Sequence, residues 1–365
     1  MKDGEVETPA RSPKITRRGL LIGSAAAVVG VGVGAAVFAS ASSRDQLPES
    51  REQSPLPRDR VGAHVGAPVD EEDAVRWRTD IDTLAGSGQN LLRTAVYPWL
   101  VAPALNSWDD RATAFYRETL AYARDKGMEI NLVVPGAPDW GQDFGFDEYV
   151  EACTWFWTKM RENFGDQVEL WQVYNEADHA HYQLFTPATR DAEYLGEFAE
   201  MLGTAQRVFG VGDGGRPITT NLTGWPMNDE REQEWYLVLD AIAAQVDVLG
   251  FSVYPADNSD EIGRLAERMQ RVQERYGKPI FVAETGLQTG PDTWTEEDQK
   301  QYVPAAIEQL RSVGLWGLSL YELRDAEPPD AGVEDLTPLA GFGIIRRDGS
   351  RKSGFDDIMH ALAPR

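Results

Sequence analysis

The sequence predicts an α/β protein built as a single (β/α)8 TIM barrel. From Val61 onward, short apolar segments alternate with longer amphipathic segments, and this alternation occurs eight times. The apolar segments are too short and too uniformly hydrophobic to leave a face in water, which is typical of parallel strands covered by helices. Eight such units close into a barrel. The alternative is an open doubly wound sheet, which needs a reversal of strand order that we do not find in the residues.

The predicted strands are rich in aliphatic and β-branched residues and are bounded by polar or glycine-containing turns. They cover residues 61–66, 90–96, 129–134, a segment from Trp171 that ends in Asn175-Glu176, 217–222, 246–254, 279–286 and 315–321. Each is followed by a segment with helical spacing.

The helices are predicted from apolar residues that recur every three or four positions. They cover 71–86, about 109–126, about 146–163, a helix starting at Thr186, about 229–244, a helix with Ile262 to Tyr276 in register, about 296–312 and about 352–362. Thr186 and Pro187 suit the N-cap and the first helical position. Gly277 is typical of a helix end.

The N-terminal segment predicts export. Arg17-Arg18 precedes a long Ala-, Gly- and Val-rich stretch and then Ala39-Ser40-Ala41, a pattern that resembles a Tat-type signal peptide. We therefore assign 1–41 to a signal peptide, with an uncleaved membrane anchor as the alternative. Residues 42–60 are rich in Ser, Pro and charge and predict a flexible linker, and 61–365 form the barrel. Either way we expect a secreted or cell-surface protein.

Composition excludes several classes of function. The net charge is −24, which argues against nucleic-acid binding. The single Cys153 cannot form an intramolecular disulfide and lies in an apolar run. Gly210–Gly215 spells a dinucleotide fingerprint, but it follows a helix instead of a strand, so we expect no cofactor. His179 and His181 have no third ligand at a suitable spacing, so we also expect no metal.

Two predicted strands end in glutamate. The fourth predicted strand ends in Tyr174-Asn175-Glu176. The seventh ends in Ala283-Glu284-Thr285-Gly286. In such barrels the active site lies at the carboxyl ends of the strands. Two carboxylates at this end are what glycoside hydrolysis requires.

The other predicted strand ends carry polar and aromatic side chains. Together the candidates are His64, Arg93, Trp99, Asp139, Trp140, Asn175, Glu176, Asn221, Trp225, Ser252, Tyr254, Glu284, Tyr321 and Glu322. Aromatic faces stack on the C–H surfaces of sugars, and planar polar groups hold the hydroxyls. This combination favours a carbohydrate ligand.

These motifs resemble those of clan A glycoside hydrolases over roughly residues 61–362. The resemblance implies that Glu176 is the acid/base and Glu284 the nucleophile. It also implies that Asn175 holds the sugar 2-hydroxyl and that Arg93 and Tyr254 flank Glu284. Many members have His where this chain has Ser252, and Trp where it has Tyr321.

We therefore predict a retaining β-glycoside hydrolase that acts on a polysaccharide or oligosaccharide. The predicted substrate-binding residues are His64, Arg93, Trp140, Asn175, Asn221, Trp225, Tyr254 and Tyr321. The alternative is a carbohydrate-binding barrel without turnover, displayed at the cell surface. We expect a monomer whose partner is a carbohydrate, with no nucleic acid and with membrane contact only through the N-terminal segment.

Overall fold

The computed structural model of the chain describes residues 59–136, 138–141, 144–178, 191–210, 214–223, 229–254, 262–291, 293–326 and 341–365. The predicted signal segment and residues 42–58 of the predicted linker lie outside the described residues. So do Thr186, His179, His181 and Trp225.

Eight strands form one closed parallel barrel, in the order in which they occur along the chain. They are β1 (Val61–His64), β2 (Leu91–Ala95), β3 (Glu129–Val134), β4 (Leu170–Val173), β5 (Ile218–Leu222), β6 (Val248–Val253), β7 (Ile280–Thr285) and β8 (Gly317–Leu320). Closure comes from pairing of β1 with β8, where Gly62 lies opposite Ser319. The predicted single (β/α)8 barrel is confirmed.

Helices follow the strands and cover the barrel. The described helices are α1 (Glu71–Gly86), α2 (Pro98–Val101), α3 (Asp110–Asp125), α4 (Phe146–Phe164), α5 (Ala192–Phe209), α6 (Asp229–Ile242), α7 (Leu265–Tyr276), α8 (Glu296–Arg311) and α9 (Phe355–Ala361), with single 3-10 turns at Asp139–Gly141 and Ala243–Gln245. Sequence periodicity predicted the bounds of α1 without error. It did not predict α2, which has only four residues and begins at a proline.

The helix after β4 differs from the prediction at its start. It begins at Ala192, and the Asp191 side chain accepts a hydrogen bond from the Tyr194 N–H. Asp191 is therefore the N-cap of α5, a position that aspartate satisfies as well as threonine. The end of α7 is as predicted, because Gly277 has a φ of +62° and closes the helix in the left-handed conformation.

The barrel interior changes character along its axis. A compact apolar cluster includes Leu91, Leu170 and Val248, the first residues of β2, β4 and β6. Side chains from alternate strands form layers of this kind in TIM barrels. Nearer the carboxyl ends the same strands also carry buried polar residues, including Arg93, Gln172 and Ser252. The fold thus seals one end with apolar packing and collects polar groups at the other.

Candidate active site

Glu284 lies near the carboxyl end of β7, and its side chain is fully buried. Arg93 Nη2 is 2.8 Å from Glu284 Oε1. Tyr254 Oη donates a hydrogen bond of 2.8 Å to Glu284 Oε2. Oε1 therefore contacts a cation from β2, and Oε2 accepts a hydrogen bond from the residue after β6. Together the two contacts fix the orientation of the carboxylate.

The glycine after Glu284-Thr285 allows β7 and β8 to approach at this end. A Cβ added at Gly286 would lie 2.0 Å from the Tyr321 carbonyl oxygen, so a side chain cannot fit there. The Tyr321 N–H donates to the Thr285 carbonyl at 2.8 Å. The Glu-Thr-Gly motif thus combines a carboxylate with the close backbone contact that brings Tyr321 beside it.

Arg93 connects several candidate residues. It lies inside β2, not at its carboxyl end as predicted, and its side chain is fully buried. Its Nε donates to Gln172 Oε1 at 2.8 Å, and Nη2 also donates to Asn175 Oδ1 at 2.7 Å. A guanidinium presents several donors in a fixed plane. One side chain therefore positions Glu284, Gln172 and Asn175 at once.

His64, the last residue of β1, faces the same guanidinium. Arg93 Nη1 lies 3.3 Å from His64 Nδ1. Because a guanidinium only donates hydrogen bonds, Nδ1 accepts, and the proton of the neutral ring is on Nε2. Burial and the charge of Arg93 hold the pKa of His64 well below its usual value. His64 is therefore a neutral hydrogen-bond donor at neutral pH.

A network of amides joins β4, β5 and β6. Gln172 Nε2 donates to Asn221 Oδ1 at 2.7 Å. Asn221 Nδ2 donates to Asn175 Oδ1 at 3.0 Å and to Ser252 Oγ at 2.8 Å. Among the described residues, the buried Asn175 Nδ2 has no hydrogen-bond partner. The network orients the Asn175 amide and leaves its N–H groups available to a ligand.

The backbone around Glu176 has an uncommon conformation. Tyr174 has a φ of +64° and Glu176 a φ of +52°, values that residues other than glycine rarely adopt. The Glu176 N–H donates to Asn221 Oδ1 at 3.2 Å, and its side chain is 1% exposed. Strained backbone of this kind is concentrated at functional sites. Here it turns the chain just after β4 and places Glu176 among the buried polar groups.

Tyr254 lies under the influence of both glutamates. Burial raises the pKa of the Tyr254 phenol well above its usual value, and the charges of Glu284 and Glu176 raise it further. The phenol therefore remains protonated and donates to Glu284. A chain of contacts links the two glutamates: the Glu176 N–H bonds Asn221, Asn221 bonds Asn175, and Arg93 contacts both Asn175 and Glu284.

Aromatic rings line the β8 side of the site. Tyr321 is buried and stacks on His64, with ring centres 5.3 Å apart. Phe342 packs edge-on against Tyr254 and Tyr321, at 5.6 and 5.5 Å. Tyr321 is thus held in place by neighbours on both sides.

Glu322 is a third buried carboxyl group near the site. Its side chain is only 5% exposed, and Oε1 accepts a hydrogen bond of 3.0 Å from the Ala326 N–H. Burial raises its pKa to about 8, and the charges of Asp325 and Glu284 contribute. At neutral pH Glu322 is therefore mostly protonated and adds little negative charge beside Glu284.

The predicted substrate-binding residue Trp140 makes its contacts outside this network. Trp140 lies on the 3-10 turn after β3, where its indole N–H donates to the Ala102 carbonyl at 2.8 Å and its ring packs edge-on against Trp155 at 5.9 Å. Trp225 lies outside the described residues. A role for either in binding a ligand stays a prediction.

Sequence reasoning missed two residues that support the site. Gln172 lies inside β4, and only its polarity in an otherwise apolar strand signals a special role. Phe342 lies between two glycines in the segment Gly341-Phe342-Gly343, and sequence reasoning gave it no role in the site. The structure shows that Gln172 holds Arg93 and Asn221, and that Phe342 packs on two site aromatics.

In the part of the chain that the structure describes, no three His, Cys, Asp or Glu side chains are placed to hold a metal ion. None of the helices described there is both long and apolar enough to cross a bilayer.

Comparison with known proteins rests on shape. No protein-family model and no curated sequence matches the chain. Solved structures do match. A GH5_18 protein from Streptomyces cattleya, in complex with GlcNAc, has a TM-score of 0.64 at 15% identity, over 84% of this chain and 80% of that one. The match to a GH5_18 variant from Bifidobacterium longum, in complex with Manβ1-4GlcNAc, has a TM-score of 0.64 at 12% identity, over 83% and 78%.

A third match is a β-glycosidase from Pyrococcus horikoshii. It has a TM-score of 0.62 at 15% identity and covers 84% of this chain and 94% of that one. At these identities the similarity establishes a shared fold. It leaves the chemistry to be argued from the side chains of this chain.

Proposed function

We propose that this protein is a retaining β-glycoside hydrolase that acts on an oligosaccharide or polysaccharide. The observation that carries the proposal is the arrangement around Glu284. A fully buried carboxylate is held by Arg93 and Tyr254, and Arg93 is joined through Asn175 and Asn221 to the backbone N–H of Glu176. Two carboxylates in one cleft, each from a different strand, are the minimal apparatus for cleaving a glycosidic bond.

In the proposed reaction Glu176 protonates the glycosidic oxygen while Glu284 attacks the anomeric carbon. The leaving sugar departs with the proton, and a covalent glycosyl-enzyme forms on Glu284. Glu176 then removes a proton from water, and the resulting hydroxide attacks the anomeric carbon and releases Glu284. This double displacement retains the anomeric configuration and requires carboxyl groups about 5–5.5 Å apart.

Neighbouring residues have supporting roles in this scheme. Arg93 and Tyr254 keep the Glu284 carboxylate aimed at the anomeric carbon. Asn175 Nδ2, which has no partner among the described residues, donates to the sugar 2-hydroxyl. His64 donates to another hydroxyl through Nε2. Substrate-positioning contacts of this kind convert binding energy into correct geometry for reaction.

The comparisons add support of a different kind. The matched structures include proteins described as β-glycosidases and GH5_18 proteins bound to GlcNAc or to Manβ1-4GlcNAc. These compounds therefore belong among the candidate ligands for this chain. The matched structures share the fold of this chain. We extend the comparison to glycosidase activity because this chain has the Glu176–Glu284 pair.

We also propose that the protein is exported. Arg17-Arg18 and the apolar stretch that follows support this proposal. Changing both arginines to lysine should trap the protein in the cytoplasm, as fractionation of the producing cells would show. Unchanged export of this variant would contradict Tat-type targeting.

The function is tested by measuring new reducing ends on β-glucan, xylan, mannan, galactan and Manβ1-4GlcNAc. The purified protein should cleave at least one of them, and Glu284→Gln should abolish the cleavage while keeping the fold. NMR of the first product should show the same anomeric configuration as the substrate. Binding without cleavage would favour the non-catalytic alternative, and an inverted product would contradict the double displacement.

A further inference from the structure

A groove of about 320 Å³ opens beside the proposed active site, between the loops that follow β7 and β8. Thr289, Gly290 and Trp294 of the β7 loop form one wall, and Asp325 and Gly341 form part of the other. The volume lies within the range of about 300–1,000 Å³ that is usual for small-molecule sites. Both walls follow directly from the strands that carry Glu284 and Tyr321, so the groove is at the catalytic end of the barrel.

An exposed tryptophan lies on this groove. Trp294 is 39% exposed, unlike Trp157 and Trp171, which are fully buried. Its backbone is fixed by pairing with Thr289 and by a hydrogen bond of 3.0 Å from the Gly290 N–H to its carbonyl oxygen. A rigidly mounted indole that faces solvent in a groove offers a flat apolar surface for a ligand.

The groove floor is polar and already organised. Lys352 Nζ donates to Thr289 Oγ1 at 2.9 Å, to Asp325 Oδ1 at 2.8 Å and to the Gly341 carbonyl at 2.9 Å. The Lys352 side chain is 3% exposed. All three ammonium protons are therefore used within the protein, and the floor holds its shape without a ligand.

The charges of the groove are balanced in pairs. Lys352 is paired with Asp325, and Arg346 with Glu296 at 2.5 Å. The two cations are thus matched by two anions, although the whole chain has a net charge of −24. An ionic ligand would have to break one of these pairs, whereas a neutral polyhydroxylated ligand can bind to them without displacing either partner.

From these observations we infer that the groove at Trp294 is a second sugar-binding subsite for a neutral sugar unit of the substrate. The inference rests on the proposed function and extends it. One pyranose ring stacks on the Trp294 indole, and its hydroxyls contact the Arg346–Glu296 pair and Asp325. A substrate chain long enough to fill both this groove and the cleft at Glu284 binds better than a single glycoside.

The test compares substrates of increasing length. Trp294→Ala should lower kcat/KM about fivefold or more on long neutral oligosaccharides, the size expected for a lost aromatic stacking contact. It should not change kcat/KM on an aryl monoglycoside, which is too short to reach the groove. Trp294→Phe should retain most of the wild-type kcat/KM on the long oligosaccharides, because phenylalanine keeps an aromatic face. Leu237→Ala, at an exposed apolar position on α6, is the matched surface control.

Binding to Glu284→Gln protein separates this inference from the proposed function. Calorimetry with the same oligosaccharides should show affinity that rises with length, and this rise should vanish in Glu284→Gln/Trp294→Ala. The subsite is refuted, and the hydrolase stands, if the wild type cleaves glycans and Trp294→Ala has the same kcat/KM at every substrate length. The same conclusion follows if Trp294→Ala lowers kcat/KM by the same factor at every length. Length-dependent binding through Trp294 without any cleavage would support the subsite and refute the hydrolase. Neither binding nor cleavage would refute both.

Discussion

Arg93 and Glu284 form an ion pair in which neither side chain is exposed to solvent, with Arg93 Nη2 2.8 Å from Glu284 Oε1. The pair joins β2 and β7, which are not neighbours in the barrel. Burying two charges costs about as much free energy as their attraction returns, so such a pair is poor evidence of a purely stabilising role. Its position among further polar groups is better explained by a need to hold a carboxylate for chemistry.

Glu176→Gln should reduce activity most on substrates whose leaving group needs a proton, and least on substrates with an acidic leaving group. Loss of a general acid costs about 10²–10⁴-fold when the departing alcohol needs a proton. Aryl glycosides with acidic phenols need little help and should retain most of their rate of glycosyl-enzyme formation. Pre-steady-state kinetics on a series of aryl glycosides measures this dependence. An equal loss on every substrate would argue against the acid/base assignment.

Tyr254→Phe should lower kcat about 10- to 100-fold with little change in KM, because a hydrogen bond to a charged group contributes about 1.5–3 kcal/mol. The raised pKa of Tyr254 means that the hydroxyl stays protonated. The ratio of wild-type to variant rates should therefore be constant from pH 5 to pH 9. Tyr122→Phe, which removes a hydroxyl bonded to Asp82 on the surface, is the matched control. If Tyr254→Phe is as active as the wild type, the Tyr254 hydroxyl does not contribute to catalysis.

Gln172→Leu should destabilise the protein and also reduce activity. The change leaves Arg93 Nε without its acceptor in the barrel interior and removes one of the two donors to Asn221 Oδ1. A buried unsatisfied group costs about 1–3 kcal/mol. Urea denaturation measures the loss of unfolding free energy. Gln301→Leu on the surface of α8, where Gln301 bonds only Glu297, should have little effect. Equal stability of the two variants would show that Gln172 does not hold the network.

Glu322→Gln should make stability less dependent on pH. The folded protein keeps the Glu322 proton up to a pKa of about 8, whereas the usual value is 4.5. Between these values the folded state binds more protons than the unfolded chain, so this group's contribution to stability falls as the pH rises. Glutamine has no proton to lose and should remove this decline, which amounts to about 5 kcal/mol at most.

Unfolding in urea at pH 5, 7 and 9 tests the Glu322 prediction. The variant should gain stability relative to the wild type as the pH rises. Glu118→Gln changes a carboxylate that is 77% exposed. Its unfolding free energy should depend on pH in the same way as that of the wild type. If the wild type and Glu322→Gln lose stability in parallel from pH 5 to pH 9, Glu322 does not hold its proton in the folded state.

Long periodic segments were the easiest part of the structure to predict. The bounds of α1 and β3 match those read from the sequence, because burial of one helix face or of a whole strand imposes a pattern on neighbouring residues. Short elements were harder. The four residues of α2 are too few to show a period, and the strand expected from 315 begins at Gly317.

The sequence by itself determined the eight strand–helix units, the strand that carries Glu284 and the strand that precedes Glu176, although β4 ends at Val173 and not at Glu176 as predicted. These features depend on local spacing, which is present in the order of residues. The resemblance implied that Arg93 flanks Glu284. Only the tertiary structure decided that the two form a 2.8 Å ion pair, that Gln172 links Arg93 to Asn221, and that Trp140 donates to Ala102. Such contacts depend on barrel closure and on side-chain conformations. These bring together residues that are far apart in the sequence and follow no regular spacing.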